Sequence, residues 1–261
     1  MSKSSNLFKA IALAFGLAAA AVAPALASPP KHCPDAAVAG DLGAPLPRLA
    51  KRLAARQPIV IVALGSSSTA GAGASTSERT YPSDLQRELA RLWPDQRVVV
   101  INRGVNGEEA SDMYRRMAKD VYAEHPDLVI WQLGTNYLMR NDGVGRFADT
   151  VRKGIDELRA HGLDVVLMDP QYAPKVLRDP DADAMVDLIA SVAHGRHVGL
   201  FRRFDLMSAW IRQEALSFTD VIAPDGLHMN DWSYNCIALS LATALDRAAR
   251  NSLIGRAEIP N

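Results

Sequence analysis

Five short apolar runs punctuate the chain: residues 59–64, 98–101 (VVVI), 128–133 (LVIWQL), 165–168 (VVLM) and 198–201 (VGLF). None alternates apolar with polar residues, so each suits a strand buried on both faces. Stretches of helical periodicity separate and follow them, roughly 82–93, 109–121, 146–161, 181–194, 205–216 and 231–249. In the third of these Phe147, Val151, Ile155 and Leu158 recur every three to four residues, and Gly162 ends the run. Strand and helix in regular alternation predict an α/β protein whose parallel sheet is covered by helices on both sides.

Size and composition agree with a single core. At 261 residues, 48% hydrophobic and 22% charged, the chain is long enough for one large domain and short for two. Basic residues are scattered and the formal net charge is zero, which excludes a nucleic-acid footprint. A neutral or small substrate fits better. Residues 1–27 read as a cleavable export signal: Lys3 and Lys9 precede an apolar stretch from Ala10 to Ala23, and Ala25, Leu26 and Ala27 give a small-x-small cut site. The stretch is about 14 residues, against roughly 20 needed to span a bilayer. No stable membrane anchor is therefore expected after cleavage, and the mature protein is expected in the periplasm or outside the cell. Residues 28–57, rich in proline with a short basic helix near 47–56, read as a surface-hugging lead-in to a domain over 58–261. Export would place Cys33 and Cys236 in an oxidising compartment, where a disulfide between them is expected. The alternative is a buried thiol at 236 and a free one in the tail.

The chemistry gathers where the runs stop. Residues 59–73 read IVIVALGSSSTAGAG, an apolar strand that breaks into serines, Thr69 and glycines. Gly104 and Gly107 follow the second run, and Gly134, Thr135 and Asn136 the third. Carboxyl ends of parallel strands face one crevice, so these loops converge. Asp225 and His228 precede the last helix and open onto the same edge. A serine hydroxyl needs a base to become a nucleophile, and an imidazole needs a carboxylate to hold its tautomer. Asp225 lies three residues before His228, a spacing that a turn can close. Negative charge on a carbonyl oxygen would need donors, for which the N–H of the serine, the N–H of Gly107 and the amide of Asn136 are candidates. Spacing alone leaves Ser66, Ser67 and Ser68 all open as the nucleophile.

Nucleotide binding and the α/β-hydrolase elbow both fail on the same residues. No lysine follows the glycines in Walker spacing, GxGxxG is not met around Gly71, and GSSSTAG does not match GxSxG. The ordered set instead resembles the SGNH, or GDSL, hydrolase family. Residues 65–71 resemble its GDSxTxG block, with the family nucleophile on Ser67. Residues 102–109 (NRGVNGEE) resemble its glycine block, with the oxyanion glycine on Gly107, and Gly134 to Tyr137 resemble GxND, with the amide donor on Asn136. DxxH is met in full by Asp225 and His228. Ser66 stands where the family usually has aspartate, Tyr137 replaces the acid after the amide donor, and Asn106 and Glu109 replace the hydroxyl residues beside Gly107.

The resemblance implies a flavodoxin-like three-layer α/β/α sandwich with a five-stranded parallel sheet. It also implies ester hydrolysis through an acyl-enzyme on Ser67, His228 and Asp225, with Ser67, Gly107 and Asn136 as oxyanion donors and with no metal or organic cofactor. Tyr81, Tyr137, Tyr172, Met139, Met229 and Trp232 lie in or beside the expected crevice loops and are candidates for binding a small-molecule or glycan ester. Short acyl groups on carbohydrate or cell-envelope material are the expected substrates. The alternatives are an acyltransferase with the same triad, a lysophospholipase or thioesterase, and a noncatalytic glycan-binding protein.

Overall fold

The computed structural model describes residues 32–34, 40–140, 145–213 and 216–257. The expected export signal lies outside them. Strands β1 (Ile59–Gly65), β2 (Val98–Gly104), β3 (Leu128–Gln132), β4 (Asp164–Met168) and β5 (Gly199–Phe201) form one sheet in the order β2-β1-β3-β4-β5. Every pairing is parallel. This is the flavodoxin-like order, whose reversal of direction lies between β1 and β3. The central strands are buried on both faces, with Ile61, Val62, Ala63, Leu64 and residues 128–131 all at 0% exposure, which is why they read as unbroken apolar runs. Edge strand β2 is only half-buried.

Two helical layers cover the sheet. Helix α1 (Pro47–Ala54), the single turn α2 (Ser67–Ala70) and α3 (Tyr81–Leu92) come first, and α3 packs on β2 and on the final helix. Helices α4 (Ala110–Arg115) and α5 (Met117–Asp120) replace the continuous helix expected over 109–121. The chain leaves helical geometry at Arg116 (φ −101°, ψ 3°), whose guanidinium turns inward to the sheet. Helices α6 (Thr135–Arg140), α7 (Gly145–Ala160), α8 (Pro174–Leu177), α9 (Ala182–Arg196), α10 (Arg203–Arg212), α11 (Phe218–Val221) and α12 (Asp231–Ala257) follow. Helix α7 packs against α4 and α9, while α12 packs against α1 and α3. Among the described residues no helix is long and apolar enough to cross a membrane.

The segment read as a surface lead-in is built into the core from residue 40 onward. Leu42, Leu46 and Leu49 are buried, and the backbone N–H groups of Arg48 and Leu49 donate to the Asp164 carboxylate at the start of β4. Arg48 and Arg52 both pair with buried Asp127 just ahead of β3. Helix α1 thus closes the amino end of the sheet, opposite the end where the glycine and serine loops emerge. Cys33 and Cys236 form a disulfide that ties the tail to α12.

Candidate active site

The three serines after β1 point three ways. Ser66 turns inward: its N–H and its hydroxyl both donate to Gln132 Oε1 at the end of β3, at 2.8 and 2.9 Å. Ser68 is fully buried and donates to Gln171 Oε1 at 3.3 Å. Ser67 occupies the first position of α2, and its Oγ lies 2.8 Å from His228 Nε2. The tight seating of this turn depends on glycine at position 104, because a Cβ there would meet the Ala70 backbone nitrogen at 2.0 Å.

His228 is delivered by a loop that is braced at several points. The Ala223 N–H donates to the His228 carbonyl at 2.8 Å, and Ile222 and Met229 form an antiparallel bridge. Asp225 Oδ1 accepts the N–H groups of Leu227 and His228 at 2.9 and 3.0 Å. Its Oδ2 meets His228 Nδ1 in a close hydrogen bond. Partial burial raises the Asp225 carboxyl, but the bonds from the His228 ring and the two backbone N–H groups outweigh it and hold the group below its ordinary value. An ionised carboxylate on Nδ1 requires the proton on that nitrogen, which leaves the Nε2 lone pair facing Ser67.

The three expected donors differ in how they are engaged. Neither the Ser67 nor the Gly107 backbone N–H has a protein acceptor among the described residues. Gly107 has φ +77°, the left-handed region that a side chain would oppose. Asn136, second in α6, gives one amide N–H to the Glu108 carbonyl at 2.8 Å, and its other N–H has no acceptor among the described residues. Two arginines that the sequence reading did not single out fix this loop. Arg140 donates to the Gly107 carbonyl at 2.6 Å and pairs with Glu109. Arg116 pairs with Glu108 at 2.6 Å and donates to the carbonyls of Gly65 and Arg103 at the ends of β1 and β2. Contacts to main-chain carbonyls demand no particular partner residue, so no motif marks them.

The aromatic and methionine candidates divide. Tyr81 and Met229 are at 0% exposure and offer no surface to a ligand. The Tyr81 hydroxyl lies against Thr69 Oγ1, and burial pushes it up to about 12. Tyr172 is also buried, edge-on to Phe204 and stacked on Phe218. Trp232 packs edge-on against Trp210, and Tyr137 against Phe147. Met139 is exposed on α6, three residues after Asn136.

Sequence comparison matches the non-GDSL lipase-like family over residues 32–251. No curated protein matches the chain. Among solved structures, a two-domain esterase active on acetylated mannans superposes with a TM-score of 0.67 at 20% identity, covering 80% of this chain and 55% of that one. The present chain therefore spans little more than half of that esterase. A lipase/acylhydrolase from Enterococcus faecalis gives a TM-score of 0.62 at 24% identity, covering 72% of this chain and 96% of that one. A catalytic mutant of Axe2, an acetylxylan esterase from Geobacillus stearothermophilus, gives 0.62 at 17% identity, with 72% and 94% covered. At such identities the likeness is one of fold.

Proposed function

The chain belongs to the non-GDSL lipase-like family and has the SGNH hydrolase fold, and from that premise we propose that it is an exported serine esterase acting through an acyl-enzyme on Ser67. The contact of Ser67 Oγ with His228 Nε2, backed by Asp225 on the other ring nitrogen, carries the reading. Ser67 Oγ bonds to the ester carbonyl carbon as its proton passes to His228 Nε2. The negative charge that forms on oxygen is met by the N–H groups of Ser67 and Gly107 and by the free N–H of Asn136. His228 then gives its proton to the departing alcohol as the carbon–oxygen bond breaks. Water, deprotonated by the same imidazole, attacks the acyl-enzyme and releases the acid with Ser67 restored.

The proposed substrates are short acyl esters of carbohydrate or cell-envelope material. Two of the neighbouring structures belong to esterases of acetylated mannans and acetylxylan, which supports that class. Export is supported by the signal pattern at residues 1–27, proposed to precede the lead-in over 28–57, whose part from residue 40 packs into the hydrolase core. It is supported as well by the disulfide, a bond that reducing cytosol disfavours.

A chain-length series of nitrophenyl esters run beside acetylated xylan, acetylated mannan and peptidoglycan tests the reading. Turnover highest for acetate, together with acetate release from a glycan and covalent labelling by a fluorophosphonate, is expected. Ser67→Ala should abolish both turnover and labelling, whereas Ser66→Ala and Ser68→Ala, which remove only supporting bonds, should lower them in part. A Ser67→Ala protein that still labels would overturn the assignment.

A further inference from the structure

The nucleophile turn, the amide donor and the histidine loop come from widely separated parts of the chain, and one buried side chain bonds to the turn, to the residue before the amide donor and to the loop. Gln171, in the segment after β4, is fully buried. Its Oε1 accepts from Ser68 Oγ at 3.3 Å and Thr135 Oγ1 at 3.0 Å, and its Nε2 donates to the Leu227 carbonyl at 3.1 Å. Ser68 follows Ser67, Thr135 precedes Asn136, and Leu227 precedes His228. A fourth contact sets the direction of the amide: Nη2 of Arg203 donates to the same Oε1 at 3.1 Å. Arg203 is itself at 0% exposure, with its Nε on the Asp169 carbonyl at 2.9 Å. Flipping the Gln171 amide would turn its NH₂ toward a guanidinium and its oxygen toward the Leu227 carbonyl, so the charged donor locks one orientation.

We propose that Gln171, oriented by the buried Arg203, is a positioning residue that sets the mutual placement of Ser67, Asn136 and His228. The proposal rests on the esterase reading of the site. It assigns Gln171 no contact with substrate: the residue acts through the Ser68 and Thr135 hydroxyls and the Leu227 carbonyl, each one residue away from a reacting group. Displacing a catalytic group by about 1 Å is enough to lower turnover by about 10²-fold. The loss should fall on kcat, since none of the contacts reaches the substrate.

Two variants separate positioning from bulk stability. Gln171→Met keeps the volume and removes every hydrogen bond. Gln171→Glu keeps an acceptor for Ser68, Thr135 and Arg203, pairs its charge with Arg203, and sets an oxygen against the Leu227 carbonyl in place of the donor, so it keeps the test open should the first variant fail to fold. Leu158→Ala, at a fully buried position in α7 remote from these loops, serves as a destabilised control. All are assayed with nitrophenyl acetate well below their melting temperatures. A fall in kcat of fivefold or more in each folded Gln171 variant is expected, with KM within twofold, a parallel slowing of fluorophosphonate labelling, and the control unchanged. A smaller fall, or an equal one in Leu158→Ala, overturns the proposal alone. A wild-type protein that neither turns over esters nor labels overturns the esterase reading and this proposal with it.

Discussion

Opening the Cys33–Cys236 bond should cost this protein a large part of its stability and almost none of its turnover. The two cysteines are 203 positions apart, so the bond closes nearly the whole domain into one ring in the unfolded chain. In the chain-entropy treatment a ring of that size is worth about 5 kcal/mol at 25 °C, and removal of native disulfides costs about 2–5 kcal/mol. At about 2–4 °C per kcal/mol for a domain of this length, the melting temperature should fall by about 10–20 °C at the upper figure. The perturbation is Cys33→Ala, which leaves a buried thiol at position 236, a comfortable state for cysteine. Melting is followed by circular dichroism for the oxidised protein, the reduced protein and the variant. Turnover is measured below every transition and should stay within twofold. His228 is fixed by its own loop, through Asp225, the Ala223 N–H and Gln171, so loosening the tail leaves its ring in place. A melting shift under about 3 °C would refute the entropy argument. A collapse of kcat with little change in melting would show that the bond acts on the folded site.

Three further outcomes follow from the same geometry. Asn136→Ala removes an oxyanion donor and the clamp on the Glu108 carbonyl, so kcat should fall about 10²–10³-fold with KM little changed; an equal rise in KM would mean that the amide binds ground-state substrate. Asp225→Asn sets an NH₂ against Nδ1, forces the ring proton onto Nε2, and should lower kcat by about 10⁴-fold, the loss typical of such a change in a triad; unaltered labelling by a fluorophosphonate would contradict it. The third concerns pH. Burial pushes the Asp169 carboxyl up to about 7, against a backbone bond from Phe204 and the charge of Arg203, so the folded state holds this proton more tightly than the unfolded state does. Asp169 therefore makes stability fall as pH rises from about 4 to about 7. Asp169→Asn should remove its share of that fall, leaving the part due to Asp164, which burial raises to about 6; melting curves that run parallel to the wild type across the window would refute the assignment.

The difference between what could be read ahead and what could not follows from how each residue acts. Parallel strands buried on both faces must be apolar throughout, so Ile61, Val129 and Val166 announce their place locally. Ser67, Asn136, Asp225 and His228 sit where strands or loops end, and their order along the chain is itself a signature. Nothing local distinguishes Gln132 from any polar residue at a strand end, yet its Oε1 receives two donors from Ser66 at the position where the family resemblance led us to expect an acid. The missing carboxylate and the glutamine from the neighbouring strand form one structural unit, visible only once β1 and β3 are paired. Arg116 escaped for a related reason: helical periodicity runs through it, while its guanidinium is directed to the carbonyls of Gly65 and Arg103, and the helix breaks there. Tyr81 and Met229 misled because an aromatic or methionine beside a crevice loop has the same pattern whether it faces ligand or core, and here both complete the core. The groups proposed to react stand out by their order along the chain and by the family resemblance, whereas the groups that hold them act across the sheet on main-chain atoms and on one another. Ser66 stands where the family resemblance leads one to expect an acid, and the contact between Ser67 and His228 is in place beside it, with the surrounding loops held by Gln132, Gln171, Arg116 and Arg140.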